Sequence, residues 1–271
     1  MQLLKKTFAS VLIVLGLSFG MMVPALASSY FSEKKALALE GDINSQNAMG
    51  FFYLTGTNVK KDLNKAVEWY EKAAKQGDVA AQKMLGSIYS DSDEPTKDYA
   101  KAIEWYEKAV KQGDAQAQHS LGYLYYNGKG VRQDYNKARQ WYEKSAKQGY
   151  RLAQYNLGNI YYNGEGVRQD YSEALEWYQK SANQGSRDAQ NSLGGMYYEG
   201  KGVRQDYATA HEWYQKAATG KLGSSLAQFN LGVMYYQGKG VRQNIATAKE
   251  WFGKACDNGY QDGCDNYRKL N

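Results

Sequence analysis

Few residues in this chain of 271 are of the types that make and break bonds, and their placement limits what chemistry is open to it. Cys256 and Cys264 are the only cysteines. One pair of thiols allows a single internal disulfide and falls short of a four-thiolate zinc site. His119 and His211 are the whole imidazole supply, so metal ligation and general-base catalysis by histidine have little to draw on. Ser32-Glu33-Lys34-Lys35 matches the Ser-x-x-Lys pattern of β-lactam-acylating enzymes, yet the partner sequences Ser-Asp-Asn and Lys-Thr-Gly are missing. Gly-x-Ser-x-Gly, His-Glu-x-x-His, a phosphate-binding loop and a dinucleotide fingerprint are also missing. The expectation is a non-enzymatic chain with no cofactor and no metal.

The positions of these residues depend on the elements that carry them, and the amino terminus stands apart from the rest. Lys5 and Lys6 precede an apolar run from Phe8 to Val23, and Ala25-Leu26-Ala27 supplies the small residues of a cleavage site. Residues 1–27 therefore read as a signal peptide cleaved after Ala27. The run is shorter than the ~20 residues that span a bilayer, and no later stretch is as apolar. This predicts no membrane span after cleavage, with the mature chain in the periplasm or secreted, where a disulfide persists. Losing Lys5 and Lys6 lowers the formal charge from +6 to +4. Lysines and arginines alternate with acids along the remainder, whereas nucleic-acid binding needs clustered positive charge, so no nucleic-acid partner is expected.

Two prolines among 271 residues suit a chain of nearly uninterrupted helix, and the six tryptophans reveal its period. Trp69, Trp105, Trp141, Trp177 and Trp213 recur every 36 residues, and Trp251 follows after 38. Each is followed by an aromatic residue and an Ala-rich turn, and in four cases the segment stops at Gly77, Gly113, Gly149 or Gly185, residues that accept a left-handed helix terminus. The next segment opens with Ala-Gln and carries apolar and small residues at helical spacing, as in Ala153-Gln154-Tyr155-Asn156-Leu157-Gly158-Asn159-Ile160-Tyr161. Each unit is thus an A helix (Leu152 to Tyr162) and a B helix (Tyr171 to Asn183) joined by a turn with two glycines. Asp62, Asp98, Asp134, Asp170, Asp206 and Asn244 are the expected B-helix caps. Glycines at the phase of Gly158 (Gly50, Gly86, Gly122, Gly194, Gly232) should let the paired helices approach closely. One pair cannot bury its apolar face alone, so units must stack into a solenoid without a single central core.

The stretch from Ala153 to Gly185 resembles the Sel1-like repeat, a relative of the tetratricopeptide repeat, and the likeness extends over nearly all of the mature chain. The resemblance implies an all-α, right-handed superhelical solenoid of antiparallel helix pairs whose A helices line a concave surface. It also implies an adaptor or scaffold role in protein complexes. The expected organisation is a capping helix at 28–41, six repeats over 42–258 and a second capping helix at 259–271. A partial B helix is placed at Glu33 to Leu39, and an A-type helix at Tyr260 to Leu270.

Two turns depart from the pattern. Asp91-Ser92-Asp93-Glu94-Pro95 replaces a glycine turn, and Gly220-Lys221-Leu222-Gly223 adds two residues. The acids lack the spacing of a calcium loop, so a solvated turn is the default, with a basic partner or weak cation as the alternative. Cys256 ends the last B helix and Cys264 lies in the final helix, a spacing that crosses one turn. In an exported chain they should form a disulfide that staples the uncovered solenoid end. The placement is similar to that in the Helicobacter cysteine-rich proteins. Relatives of that kind have been linked with penicillin binding, which keeps a β-lactam-binding or hydrolysing role through Ser32 as an alternative. Some exported Sel1-like proteins neutralise toxins, which gives a second alternative.

Residues of the A helices offset from the packing stripe are expected to line the concavity. The first row is Asn47, Lys83, His119, Tyr155, Asn191 and Phe229. The second is Phe51, Ser87, Tyr123, Asn159, Gly195 and Val233. Both rows vary from repeat to repeat while the packing residues do not, which marks them as binding candidates for a protein or peptide. A third row, Tyr126, Tyr162, Tyr198 and Tyr236, recurs unchanged, as packing residues also would. Arg132, Arg168, Arg204 and Arg242 should stack along the turn edge at roughly 10 Å intervals, partly neutralised by the neighbouring acids.

Overall fold

A computed structural model describes residues 24–91, 97–220 and 223–270. Most of the expected signal segment (1–23) and residues 92–96 of the acidic turn lie outside the described residues. Among those described, every regular element is an α-helix. The chain forms two compact units, Met1–Ile88 and Tyr89–Asn271.

The first unit holds α1 (Pro24–Leu39), α2 (Ile43–Thr55), α3 (Leu63–Lys75) and most of α4 (Val79–Ser90). Its core gathers Ala38, Met49, Phe52 and Trp69. The first helix starts well before Glu33, where the sequence pattern began it. Tyr30 and Phe31 explain the extension, since their rings pack on Phe52 with centroids 6.1 and 5.7 Å away. That aromatic contact gives the upstream turn a buried face which the repeat pattern does not contain.

The second unit runs through α5 (Tyr99–Lys111), α6 (Ala115–Asn127), α7 (Tyr135–Lys147), α8 (Arg151–Asn163), α9 (Tyr171–Asn183), α10 (Arg187–Glu199), α11 (Tyr207–Ala218), α12 (Ser225–Gln237), α13 (Ile245–Asp257) and α14 (Gln261–Lys269). Helices that pack extensively are all neighbours in sequence, which is the arrangement of a solenoid. The buried clusters do not follow the repeat boundaries. Ala138, Tyr142 and Ala146 of α7 pack with Ala153, Leu157 and Ile160 of α8, and α9 with α10 and α11 with α12 do the same. Each cluster joins the B helix of one repeat to the A helix of the next, so a repeat in isolation is left with two open faces.

The ends of the helices follow from local chemistry. Asp62, Asp98, Asp134, Asp170, Asp206 and Asn244 each accept a backbone N–H from the first turn of the B helix that follows. The second glycine of the turn is needed for two reasons. At Gly202 the backbone is left-handed (φ +69°), and a Cβ there would sit 2.6 Å from the carbonyl oxygen of Tyr171 in the preceding repeat. In the first repeat the same position is Asn58, at φ 63°, asparagine being the side chain that best tolerates this conformation.

Inside the helix pairs, Gly158 touches the ring of Tyr178, and an added Cβ would lie 2.6 Å from its Cδ1. Gly50, Gly122, Gly194 and Gly232 seat the equivalent rings of Tyr70, Tyr142, Tyr214 and Phe252. The recurring Ala-Gln also has a structural cause. Gln154 is buried, its amide donates to the Ala146 carbonyl at 3.2 Å, and its oxygen accepts from Gln184 at 2.7 Å. Gln46 and Gln228 make the same pair of bonds, with Gln76 and Asn258 as their donors. A buried amide with both ends bonded ties each A helix to the B helices before and after it.

At the carboxyl end Cys256 of α13 and Cys264 of α14 form a disulfide, with Cα atoms 4.5 Å apart. Gly263 is buried beneath it, and a Cβ there would meet Ala255 Cβ at 2.8 Å.

Candidate interaction surface

The A helices carry the residues marked as binding candidates, and many of these prove to be spent on contacts within and between repeats. In the first unit Asn47 donates to the Asp78 carboxylate at 3.0 Å, Lys83 is half-buried and Phe51 is exposed. In the second unit His119 sits between the rings of Tyr142 and Tyr150, at 5.5 and 5.2 Å, with its Nε2 3.0 Å from the Asn156 amide. Burial without a charged partner pushes the His119 pKa down to about 4, so the ring is neutral at ordinary pH. Tyr155 packs on Tyr178, and Asn191 accepts a hydrogen bond from Asn230 at 3.1 Å. Phe229 lies against Phe252 and Tyr260, at 5.5 and 5.1 Å.

These partners account for much of the variation along the row. A row residue meets the cap of the next A helix, so polar Asn47 faces polar Asp78, while aromatic His119 and Phe229 face Tyr150 and Tyr260. The signal was present as paired changes 31 positions apart in the sequence.

The second row is more open. Tyr123 is 43% exposed, Phe51 is 49% exposed, and Asn159 accepts a hydrogen bond from the buried Tyr178 hydroxyl at 2.6 Å. His119 and Tyr123 border a cavity of about 160 Å³ together with Ser90, Tyr106, Ser120 and Leu124. A larger groove, about 730 Å³, runs across the first turns of α8, α10 and α12 and includes Tyr155 and Asn191. Leu152 and Leu226 border it, each 40% exposed. Sequence reasoning missed this pair, which could have been found as leucines at the second position of A helices where repeats 2 and 5 carry Ala80 and Asp188.

The third row carries hydrogen bonds between repeats. The Tyr126 hydroxyl donates to Glu165 at 2.8 Å, Lys201 donates to the Tyr162 hydroxyl at 2.9 Å, and Lys239 donates to that of Tyr198 at 3.0 Å. The Lys201 pKa is raised, first by its bond to Glu199 and then by that to Tyr162. Tyr236 remains 47% exposed. Arg132, Arg168, Arg204 and Arg242 are exposed and make no ion pair among the described residues. A further recurring contact lay unread in the sequence. A lysine three residues after each tryptophan covers the indole face, with Nζ 3.7 to 4.2 Å from the ring centre in all six repeats.

Of the residues weighed for chemistry, Ser32 is exposed on α1, and His119 and His211 lie on α6 and α11, away from any cysteine. No group of three or more His, Cys, Asp or Glu side chains among the described residues is arranged to hold a metal. No described helix is long and apolar enough to cross a membrane.

The Sel1 repeat model matches six times, at residues 43–78, 79–114, 115–150, 151–186, 187–221 and 225–260. A Sel1 repeat protein from Oxalobacter formigenes is 35% identical, with a TM-score of 0.80 over 88% of this chain and 68% of that one. A protective antigen of uropathogenic Escherichia coli with an SLR fold is also 35% identical, with a TM-score of 0.79 over 88% of this chain. This chain spans 50% of the antigen's length. A Sel1 repeat protein from Klebsiella pneumoniae is 28% identical, with a TM-score of 0.50 over 75% of this chain and 98% of that one. No curated protein matches. Six tandem matches, on described residues whose regular elements are all neighbour-packed helices, place it in the Sel1 repeat family.

Proposed function

We propose that this protein is an exported, non-enzymatic scaffold that holds a protein or peptide partner against the exposed side of its A helices. The repeat family and the helical fold are those of protein–protein interaction modules. The observation that carries the reading is the groove along α8, α10 and α12. Its wall includes Tyr155 and Asn191, and Leu152 and Leu226, each 40% exposed, border it. In the second unit the exposed Tyr123 and the groove-lining Tyr155 and Asn191 are the residues assigned to partner contact, while Asn159 is held by the Tyr178 hydroxyl. Phe51 is the corresponding exposed aromatic of the first unit. Export is supported by the apolar amino-terminal run and by the disulfide, a bond favoured in an oxidising space.

The test is affinity capture with crosslinking from envelope extracts. It compares the intact chain with a variant carrying Tyr123→Ala and Leu152→Ala, both at exposed positions. His119 is unsuitable as a probe, because its ring packs on Tyr142 and Tyr150 and meets Asn156 of the next repeat. The variant should lose specific partners that the intact protein retains. Equal capture by both would refute the assignment to this face. Amino-terminal sequencing of the mature protein should begin at Ser28, and a chain starting at Met1 would refute export by cleavage.

A further inference from the structure

Three pairs of tyrosines recur along the turn edge of the second unit, and the chain itself fills two of them. Tyr126 with Tyr135, Tyr162 with Tyr171 and Tyr198 with Tyr207 each join the end of an A helix to the start of the B helix that follows. Their ring centroids are 5.2, 5.2 and 5.1 Å apart, and their planes meet at 66, 65 and 66°. The turn of the next repeat sets one side chain against each pair. Lys201 donates to the Tyr162 hydroxyl at 2.9 Å, with its Nζ 5.1 and 5.6 Å from the centres of Tyr162 and Tyr171. Lys239 donates to the Tyr198 hydroxyl at 3.0 Å and lies 4.9 and 5.3 Å from the centres of Tyr198 and Tyr207. The electron-rich ring faces attract an ammonium placed in this way.

Tyr126 and Tyr135 keep the ring geometry and lack the cation. The residue set against them is Glu165, where the equivalent turn positions of the second unit carry Lys129, Lys201 and Lys239. The Glu165 carboxylate accepts from the Tyr126 hydroxyl at 2.8 Å and from the Asn163 amide at 3.3 Å. It forms no ion pair among the described residues. Both rings and the carboxylate are half-buried, so each still meets solvent. A carboxylate beside two electron-rich rings leaves a negative potential that the lysines cancel at the other two pairs. The exposed arginines of the turns do not cancel it. Arg132 and Arg168 lie over no tyrosine ring among the described residues, and neither does Arg204, which follows one of the filled pairs.

We propose that Tyr126, Tyr135 and Glu165 form an ammonium site that takes a lysine side chain of a partner protein. The filled pairs select lysine, because the same ring geometry already accepts an alkylammonium twice within this chain. The N–H groups of a primary ammonium can also donate to Glu165, a charge-assisted bond that a quaternary ammonium cannot make. The site shares no residue with the groove of the A helices. It rests on the scaffold reading only for the partner being a protein.

The experiment titrates the full chain, labelled with nitrogen-15, with the peptide acetyl-Gly-Lys-Gly-amide and with the same peptide acetylated on the lysine side chain. The backbone amide signals of Tyr126, Tyr135 and Glu165 should shift saturably with the lysine peptide alone. Glu165→Lys installs the residue found at the equivalent turns, so it should fold with a urea midpoint no lower than the parent's and weaken peptide binding about tenfold or more. Glu165→Gln keeps an acceptor for Tyr126 without the charge and should also weaken binding. Tetramethylammonium chloride should bind less tightly than the lysine peptide. Equal shifts from the acetylated peptide, no saturable shift, or unchanged binding by Glu165→Lys would each overturn the site. Tighter binding of tetramethylammonium would overturn the assignment to lysine. None of these results bears on capture through Tyr123 and Leu152, which judges the scaffold reading separately.

Discussion

Replacing Gly158 by alanine sets two effects of opposite sign against each other. Alanine in a helix interior is favoured over glycine by about 1 kcal/mol, so local propensity alone predicts a more stable protein. The added Cβ would sit 2.6 Å from Cδ1 and 2.7 Å from Cε1 of Tyr178, which requires that ring to move by about 1 Å to restore ordinary contact. Tyr178 is 2% exposed, and its hydroxyl donates to Asn159 at 2.6 Å, so the ring cannot retreat without disturbing packing and loosening that bond. Overpacking of this kind costs about 1 to 3 kcal/mol and the hydrogen bond about 1 kcal/mol. The balance is a loss of about 2 kcal/mol. It is read as a lower urea midpoint in far-ultraviolet circular dichroism at unchanged slope. Combined with Tyr178→Ala the sign should reverse, since without the ring only the propensity gain remains. A rise in the midpoint for Gly158→Ala on its own would refute the close approach of α8 and α9.

Two further outcomes follow from the same structure. Changing Cys256 and Cys264 to serine should destabilise the carboxyl end by about 2.5 kcal/mol, the loop-closure entropy of a nine-residue ring, with earlier proteolytic cleavage in α14 as the readout. Unchanged cleavage would mean that the packing of Gly263 under α13 suffices. The His119 pKa of about 4 lies below its ordinary value of 6.5, so the unfolded chain binds more protons between these values. Its contribution to stability is therefore complete above pH 6.5 and is lost as the pH falls towards 4, by about 2 to 3 kcal/mol. His119→Gln, which does not titrate, should flatten the stability profile in that window.

Most of the fold was legible because the chain repeats itself. A helix period, a turn glycine and a cap are local signals, and six copies of each made the period and the helix ends plain. The caps Asp62 to Asn244 and the bounds of α9 fell where the pattern put them. The start of α1 was less legible, because Tyr30 and Phe31 belong to no repeat and their burial against Phe52 is a contact between helices. Variation along the A helices singled out Asn47, His119 and Phe229 as candidates, but periodicity cannot distinguish a side chain that awaits a ligand from one fitted to the next repeat. Sequence by itself determined the repeat, the helix caps within the repeats and the cysteine pairing across one turn, since all of these act within a few dozen residues. The tertiary structure decided which A-helix side chains are consumed by packing and which stay open. Burial depends on the neighbouring helix occupying the adjacent space, and that neighbour is set by stacking and lies outside the local pattern.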